Sequence, residues 1–374
     1  MKIGINTRFL LSNKMEGFGW YTYEVVKRIV QNHPEHSFVL FFDRPVDPKF
    51  HFGANATEIV IGPQARHPFL YLIWFEFSLR KALKKHKIDL LFSPDGTLSL
   101  LSNVPQIHVI HDLNFEHFPK DLPWLVRWYY RTFFPKYAEK AKKIITVSNA
   151  SKNDISKTYH IEESNIIVAW NGASELFNPI SNVDKDQFLT QNGLGDYFLF
   201  VGSLHPRKNV QRLINAFEKF QKEHNFPDID LVIVGQPMWK GHKIEIPEFV
   251  KSKIRFTGHL SQSDLVKYIS SAFALTYVPY FEGFGIPLVE SMRCGVPILS
   301  GDKTSLPEIA GDAAIYCNPF DVNQISEGMS RLFIEQDLRL RLSENGLIRS
   351  KLFSWDITAQ EVWKVIEVEI QQLS

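Results

Sequence analysis

The chain has 374 residues, 44% hydrophobic and 22% charged, which excludes a disordered chain, a coiled coil or a collagen-like fibre and allows two domains. Lys and Arg number 42 against 41 Asp and Glu, a net charge of +1, so no basic field recommends a nucleic acid as partner. Two cysteines, Cys294 and Cys317, are too few for a disulfide framework or a cysteine-rich metal site and fit a reducing compartment.

The predicted elements alternate. In the first half Ile3–Asn6, Phe38–Phe42, Leu90–Phe92, Ile107–Ile110 and Ile144–Val147 read as strands, and Tyr21–Gln31, Leu70–His86, Leu125–Ala141 and Ala150–Tyr159 as helices. The pattern fails near Asn171–Asp196, where Gly, Asn, Pro, Ser and Asp are dense. It then resumes with strands Tyr197–Val201, Leu231–Val234, Ile254–Phe256, Ala274–Tyr277 and Pro297–Leu299, and helices Asn209–Gln221, Ser263–Ser271, Leu288–Cys294 and Val322–Ile334. Trp355–Leu373 reads as a long final helix. Alternation with short connections predicts an α/β chain of two parallel sheets, with ligands expected at the carboxyl ends of the strands in a cleft between them.

Charge is uneven along the chain. Residues 1–178 hold 22 Lys and Arg against 17 Asp and Glu, and the remainder 20 against 24. Aromatic residues cluster in Phe69–Phe77 and Trp124–Phe134, each run accompanied by Arg and Lys. Two readings stand: helices packed on a sheet with cationic rims, or a surface that touches anionic lipid or a lipid-linked substrate. No apolar run reaches the roughly 20 residues that span a bilayer, and the charged start Met1-Lys-Ile-Gly is unlike a signal peptide. The expected location is cytoplasmic, with peripheral contact at the inner membrane face open.

The most informative stretch is Phe281-Glu-Gly-Phe-Gly-Ile-Pro-Leu-Val-Glu-Ser-Met-Arg-Cys-Gly-Val-Pro297, which follows a predicted strand. Gly283, Phe284 and Gly285 bring the backbone up to a ligand, and Pro287 suits a first helical turn. A helix start there offers free amides and a partial positive charge to a diphosphate. Glu282 precedes that anion site and Glu290 lies inside the helix, so each carboxylate meets one polyol ring on either side of the diphosphate. Such a ligand is a nucleotide sugar. The bland alternative makes both acids solvated or capping residues.

Val201-Gly-Ser-Leu-His-Pro-Arg-Lys-Asn209 delivers Arg207 and Lys208 beyond a strand end, where cations oppose the helix dipole and are better explained by a bound phosphate. Val109-Ile-His-Asp-Leu113 places His111 at a strand's carboxyl end, and Glu16-Gly-Phe-Gly19 is a glycine turn after the first strand. Asp228-Ile-Asp230 imitates a metal–nucleotide motif, but it precedes a strand and reads as a loop at the wrong end. No helical His-x-x-x-His pair is present, so no metal ligand is assigned.

With these residues in view, the chain resembles the family-four retaining glycosyltransferases of the GT-B fold over nearly its whole length. Gly202-to-Asn209, Glu282-to-Glu290 and Ser305-Leu-Pro-Glu-Ile-Ala-Gly-Asp-Ala-Ala314 carry most of the likeness, and His111-Asp112, Val147-Ser148 and Asn171-Gly172 the rest. The resemblance implies an acceptor-binding Rossmann-like domain over 1–178, a nucleotide-sugar domain over 179–354 and a helix, 355–374, returning to the first. It implies Arg207 and Lys208 on the donor diphosphate, Glu282 on the donor sugar and Glu290 on the ribose. His111 then sits beside the reacting sugar, and Gly17 in a loop near the phosphate. Ser203 stands where many relatives have arginine, a deficit that Arg207 is expected to cover.

The implied reaction moves a hexose, mannose-type by a loose motif link, from a GDP- or UDP-linked sugar to a hydroxyl of a glycan or lipid-linked glycan. It proceeds with retention by front-face substitution, with no cofactor or metal. A non-catalytic nucleotide-sugar binder and a Rossmann oxidoreductase remain as alternatives, the latter against the incomplete glycine fingerprint after the first strand. Nothing at Gly235–Trp239 or His259–Leu260 separates uridine from guanosine.

Overall fold

The computed structural model describes residues 1–12, 15, 17–236 and 244–373. The chain forms two units, Met1–Asn171 joined by the segment from Trp355 onward, and Gly172–Ser354. Each is built on a parallel sheet.

The first unit holds β1 (Lys2–Asn6), β2 (Ser37–Phe42), β3 (Ala56–Val60), β4 (Leu90–Ser93), β5 (Gln106–Val109), β6 (Lys143–Thr146) and β7 (Ile166–Val168), in the order β3-β2-β1-β4-β5-β6-β7. The second holds β8 (Asp196–Val201), β9 (Ile229–Val234), β10 (Ile254–Gly258), β11 (Ala274–Tyr277), β12 (Ile298–Gly301) and β13 (Ala314–Cys317), ordered β10-β9-β8-β11-β12-β13. Central strands such as Tyr197-Phe-Leu-Phe200 are buried throughout because helices cover both faces. Leu199 registers with Val232 on one side and Leu275 on the other. Chain order reverses between β8 and β11, so the loops leaving those two strands flank an open crevice at their carboxyl ends.

β3, β7 and β13 and the helices Asn182–Asn192 and Gln336–Arg349 were not expected from periodicity. The strands are edge or near-edge pieces of three to five residues. Asn182–Asn192 is weakly amphipathic and set by its ends: Ser181 caps the Asp184 amide, and Gly193 closes it at φ +58°. Asp230 is also corrected, lying inside β9 at its amino end, where Arg255 Nε donates to it at 2.9 Å.

The final helix, Trp355–Leu373, packs within the first unit. Trp363 stacks on His33 at 3.6 Å, Trp355 meets Tyr21 at 6.0 Å, and Thr358 donates to the Trp170 carbonyl at 2.6 Å. Among the described residues no helix is long and apolar enough to cross a membrane.

The aromatic run 69–77 is divided between core and surface. It lies in helical backbone from Pro68 to Lys85 that widens to a π-turn over Trp74–Leu79. Trp74 and Phe75 fill the core, while Phe69, Ile73 and Phe77 stay exposed.

Candidate active site

The loop after β8 is fixed by backbone. Gly202 and Leu204 amides donate to the carbonyls of Val234 (3.0 Å) and Gln236 (2.9 Å), and the Gly235 amide to Gly258 (2.9 Å). A short 3-10 turn, Pro206–Lys208, follows, with the Arg207 amide donating to His205 Nδ1 at 3.3 Å. The two cations thus sit on a turn of their own, ahead of the Val210–Glu223 helix. Asn209, at φ +64°, separates the two elements and donates to the carbonyls of Val278 (2.9 Å) and Pro319 (2.6 Å).

The loop after β11 is tied to the same turn. The Tyr280 amide donates to the Arg207 carbonyl at 3.0 Å, and Arg207 Nη1 donates to the Phe281 carbonyl at 2.9 Å. The Glu282 amide donates to Thr304 Oγ1 at 3.1 Å, and Ser305 Oγ lies 3.0 Å from the carbonyls of both Glu282 and Phe284. Gly285 then turns into the Ile286–Arg293 helix at φ +97°, where a Cβ would stand 2.9 Å from Leu306 Cδ2. The Leu288 amide is taken by the Gly285 carbonyl at 3.0 Å, while the Gly285 and Ile286 amides make no hydrogen bond among the described residues. The expected amide-lined helix start is therefore present.

Arg207, Lys208 and Glu282 converge. Glu282 Oε1 accepts from Arg207 Nη1 at 2.6 Å and pairs with Lys208 Nζ, which also donates to the Tyr277 hydroxyl at 2.7 Å. Lys208 and Glu282 are 8% and 7% exposed, so this cluster is desolvated. Burial alone would raise the Glu282 carboxyl, but Arg207, Lys208 and a hydrogen bond from Tyr277 outweigh it and hold the carboxyl below its usual value. Burial and the Glu282 charge push the Tyr277 hydroxyl far up, so it remains a donor. Sequence reasoning did not single out Tyr277; the signal available was a tyrosine at the last position of the strand that precedes Glu282.

Glu290 behaves oppositely. Its residue keeps part of its surface open, yet its carboxyl forms no hydrogen bond or ion pair among the described residues, and burial raises it to about 8. Between the ordinary carboxylate value and about pH 8 the folded chain holds a proton that the unfolded chain has released. The stability this group contributes is thus complete below the unfolded value and falls as pH rises towards 8. We expect Glu290→Gln to melt with wild type near pH 5 and above it near pH 8, by about 2–4 °C for each kcal/mol recovered, measured by thermal melts across that range.

The first unit holds the two other candidates. His111 follows β5 and is half-buried, its ring 4.7 Å from Phe18 and 4.8 Å from Tyr21. Nε2 lies 3.0 Å from the Pro94 carbonyl and must carry the hydrogen there, which leaves Nδ1 as acceptor in the neutral ring. Burial lowers its pKa against the opposing pull of Pro94, Asp112 and Asp95, favouring that neutral form. Gly17 was expected in a loop but is the first residue of the Gly17–Asn32 helix. Gly19, two residues on, has the close contact, since a Cβ there would lie 2.8 Å from the Phe9 carbonyl. Glu16 and residues 237–243, which include most of the proposed base region at Gly235–Trp239, lie outside the described residues. No group of His, Cys, Asp or Glu able to hold a metal ion occurs among the described residues.

Two family models match the chain, Glycosyltransferase Family 4 over residues 15–174 and Glycosyl transferases group 1 over 184–349. The O-antigen chain mannosyltransferase B of Escherichia coli is 26% identical over 361 residues, covering 91% of this chain and 93% of that protein. Sucrose-phosphate synthase from Thermosynechococcus elongatus superposes with a TM-score of 0.80 at 18% identity, covering 99% of each chain. HepE of Anabaena, solved with UDP-glucose, superposes with a TM-score of 0.77 at 16% identity, covering 98% of this chain and all of that one.

Proposed function

Because the chain belongs to the group 1, family-four glycosyltransferases and has their GT-B fold, we propose that it transfers a hexose from a GDP- or UDP-linked donor to a hydroxyl of a glycan or lipid-linked glycan, retaining the anomeric configuration. Mannose is the favoured sugar, in keeping with the mannosyltransferase to which the chain is similar over nearly its full length. The observation that carries the reading is the convergence of Arg207, Lys208, Tyr277 and Glu282 beside a helix start with free amides, at the switch point of the second sheet.

Both cations pair with Glu282. A diphosphate carries more negative charge than one carboxylate and adds the pull of the Gly285 and Ile286 amides, so it competes for Arg207 and Lys208. Glu282, released in part, accepts hydroxyl hydrogens from the donor sugar, while Glu290 takes the ribose diol. As the glycosidic bond lengthens, charge grows on the leaving phosphate, where Arg207 and Lys208 oppose it without reorganisation or need of a metal. The leaving phosphate takes the acceptor's proton on the same face of the sugar.

Tyr277 accepts from the Lys208 ammonium and adds, after Arg207 and Lys208, to the pull that holds the Glu282 carboxyl below its usual value. Its loss leaves one buried hydrogen bond of the Lys208 ammonium unmade, worth about 1–3 kcal/mol. Tyr277→Phe is expected to lower turnover roughly tenfold or more and to lower the melting temperature by roughly 2–4 °C per kcal/mol lost. Steady-state release of nucleoside diphosphate measures it.

A thermal-shift panel of GDP-, UDP- and ADP-sugars tests the donor, because a ligand of the native state raises its melting point. GDP-mannose is expected to give the largest shift, and acceptor-dependent release of GDP separates an enzyme from a mere binder. If no nucleotide sugar shifts the wild type, or Glu290→Ala responds as wild type does, the donor-site reading fails.

A further inference from the structure

Two rows of exposed aromatic and aliphatic side chains lie on neighbouring helices of the first unit. Phe69, Ile73 and Phe77 recur every four residues and are 54%, 43% and 66% exposed. Trp124 and Trp128, one turn apart on the Trp124–Lys140 helix, are 70% and 43% exposed. The Phe69 and Trp128 rings approach to 6.4 Å, which joins the rows into one patch. The same runs already supply the core with Trp74, Phe75, Tyr129 and Phe134, so folding does not account for the outward rings. Beside the patch an open groove of about 700 Å³ runs between this helix and the end of the Asn149–Tyr159 helix, lined by Trp124, Trp128, Arg127, Arg131, Tyr159 and His160 among others.

The segments that carry the patch are cationic. Residues 66–87 contain six Lys and Arg and a single acid, Glu76. Glu76 is buried and spent on the amides of Leu100 and Leu101, at 2.8 Å each. Residues 120–143 contain seven Lys and Arg against Asp121 and Glu139. Of these thirteen cations only Arg131 forms an ion pair among the described residues, with Glu116 at 2.9 Å. Arg80, Lys81, Lys84 and Lys85 are exposed and unpaired there.

We propose that this face docks the protein on a bilayer rich in anionic lipid, its aromatic rings seated at the headgroup boundary and its cations over lipid phosphates. Neither signal holds a protein on a membrane well alone, and here they coincide. Charge decides between occupants. A second copy meeting this face about a two-fold axis would bring the same cations against themselves, and a nucleic acid would leave Ile73 and Phe77 without an apolar partner. The surface lies wholly in the first unit and does not rest on the donor site proposed above.

The test uses the full chain with sedimented vesicles of neutral phosphatidylcholine, with or without about one-third phosphatidylglycerol. Expected are at least tenfold tighter binding to the anionic vesicles, weakening in high salt, and a blue shift of tryptophan emission. Trp124→Ser with Phe77→Ser, and separately Lys81→Glu with Lys84→Glu, should each cut binding tenfold or more. Because these side chains are exposed, their melting points and nucleotide-sugar thermal shifts should match wild type. Equal binding to both vesicles, unaltered binding by the variants, or a dimer that Trp124→Ser dissociates would overturn the proposal. Vesicle binding without any nucleotide-sugar shift would leave docking standing and sink the donor reading instead.

Discussion

Lys208→Ala should lose about 10²–10³ in turnover, equivalent to about 3–4 kcal/mol of transition-state stabilisation, with a much smaller effect on the acceptor's half-saturation. Lys208 is the more buried of the two cations on Glu282, and its ammonium is held by Tyr277 at 2.7 Å. Among the described residues Arg207 is the other cation on Glu282, and it is already engaged by that carboxylate and the Phe281 carbonyl. The same substitution should lower stability at neutral pH, because a buried carboxylate loses one of its counter-charges. The Glu282 carboxyl is held below its ordinary value in the wild type, so this stabilisation exists above the unfolded value and fades as pH falls through the folded one. The gap between the melting curves of wild type and Lys208→Ala should therefore close in acid. Acceptor-dependent nucleoside diphosphate release within threefold of wild type would remove Lys208 from the mechanism.

Gly235→Ala should be the most damaging single methyl group in the second unit. Gly235 has φ +151°, and a Cβ there would fall 1.9 Å from the Gly202 carbonyl oxygen and 2.9 Å from its carbon. Both neighbours are backbone, so no side chain can swing aside. To relieve the clash the ends of β8 and β9 must part, breaking the Gly202–Val234 and Leu204–Gln236 hydrogen bonds that seat the turn carrying Arg207 and Lys208. Backbone strain of about 1–3 kcal/mol and an overpacking cost of about 1–3 kcal/mol act together. The melting point is expected to drop by roughly 2–4 °C per kcal/mol, and the nucleotide-sugar shift to vanish even where the variant is still folded. A Gly235→Ala protein that melts and binds donor like wild type would show that the loop is not held by this contact.

Much of the architecture was legible because parallel strands buried on both faces leave unbroken apolar runs. Phe198–Val201 and Ala274–Tyr277 are examples, and both lead into the candidate site. The glycine, proline and glutamate pattern of 281–297 marks a strand-to-helix turn because each residue answers a local geometric demand. What stayed hidden was non-local. The ion pairs that join Arg207 and Lys208 to Glu282 span more than 70 residues, and no spacing rule reaches so far. Tyr277 was read only as the end of a strand, whereas its hydroxyl accepts from the Lys208 ammonium at 2.7 Å. Gly235 has meaning only against Gly202, a neighbour created by sheet pairing. Gly17 was misplaced because a Gly-x-Gly sequence also tolerates a helix start.

The seating of Trp355, Thr358 and Trp363 against Tyr21, Trp170 and His33 makes the first unit discontinuous, while the second is a single uninterrupted stretch. On the ribosome the uninterrupted unit can therefore finish first, although its codons come later than most of the other's. The earlier-made half must wait, partly assembled, for a strap synthesised some 180 residues downstream of Asn171. A nascent chain arrested before that strap would carry a complete second unit and an unfinished first, which makes the interval between the two a natural point of chaperone dependence.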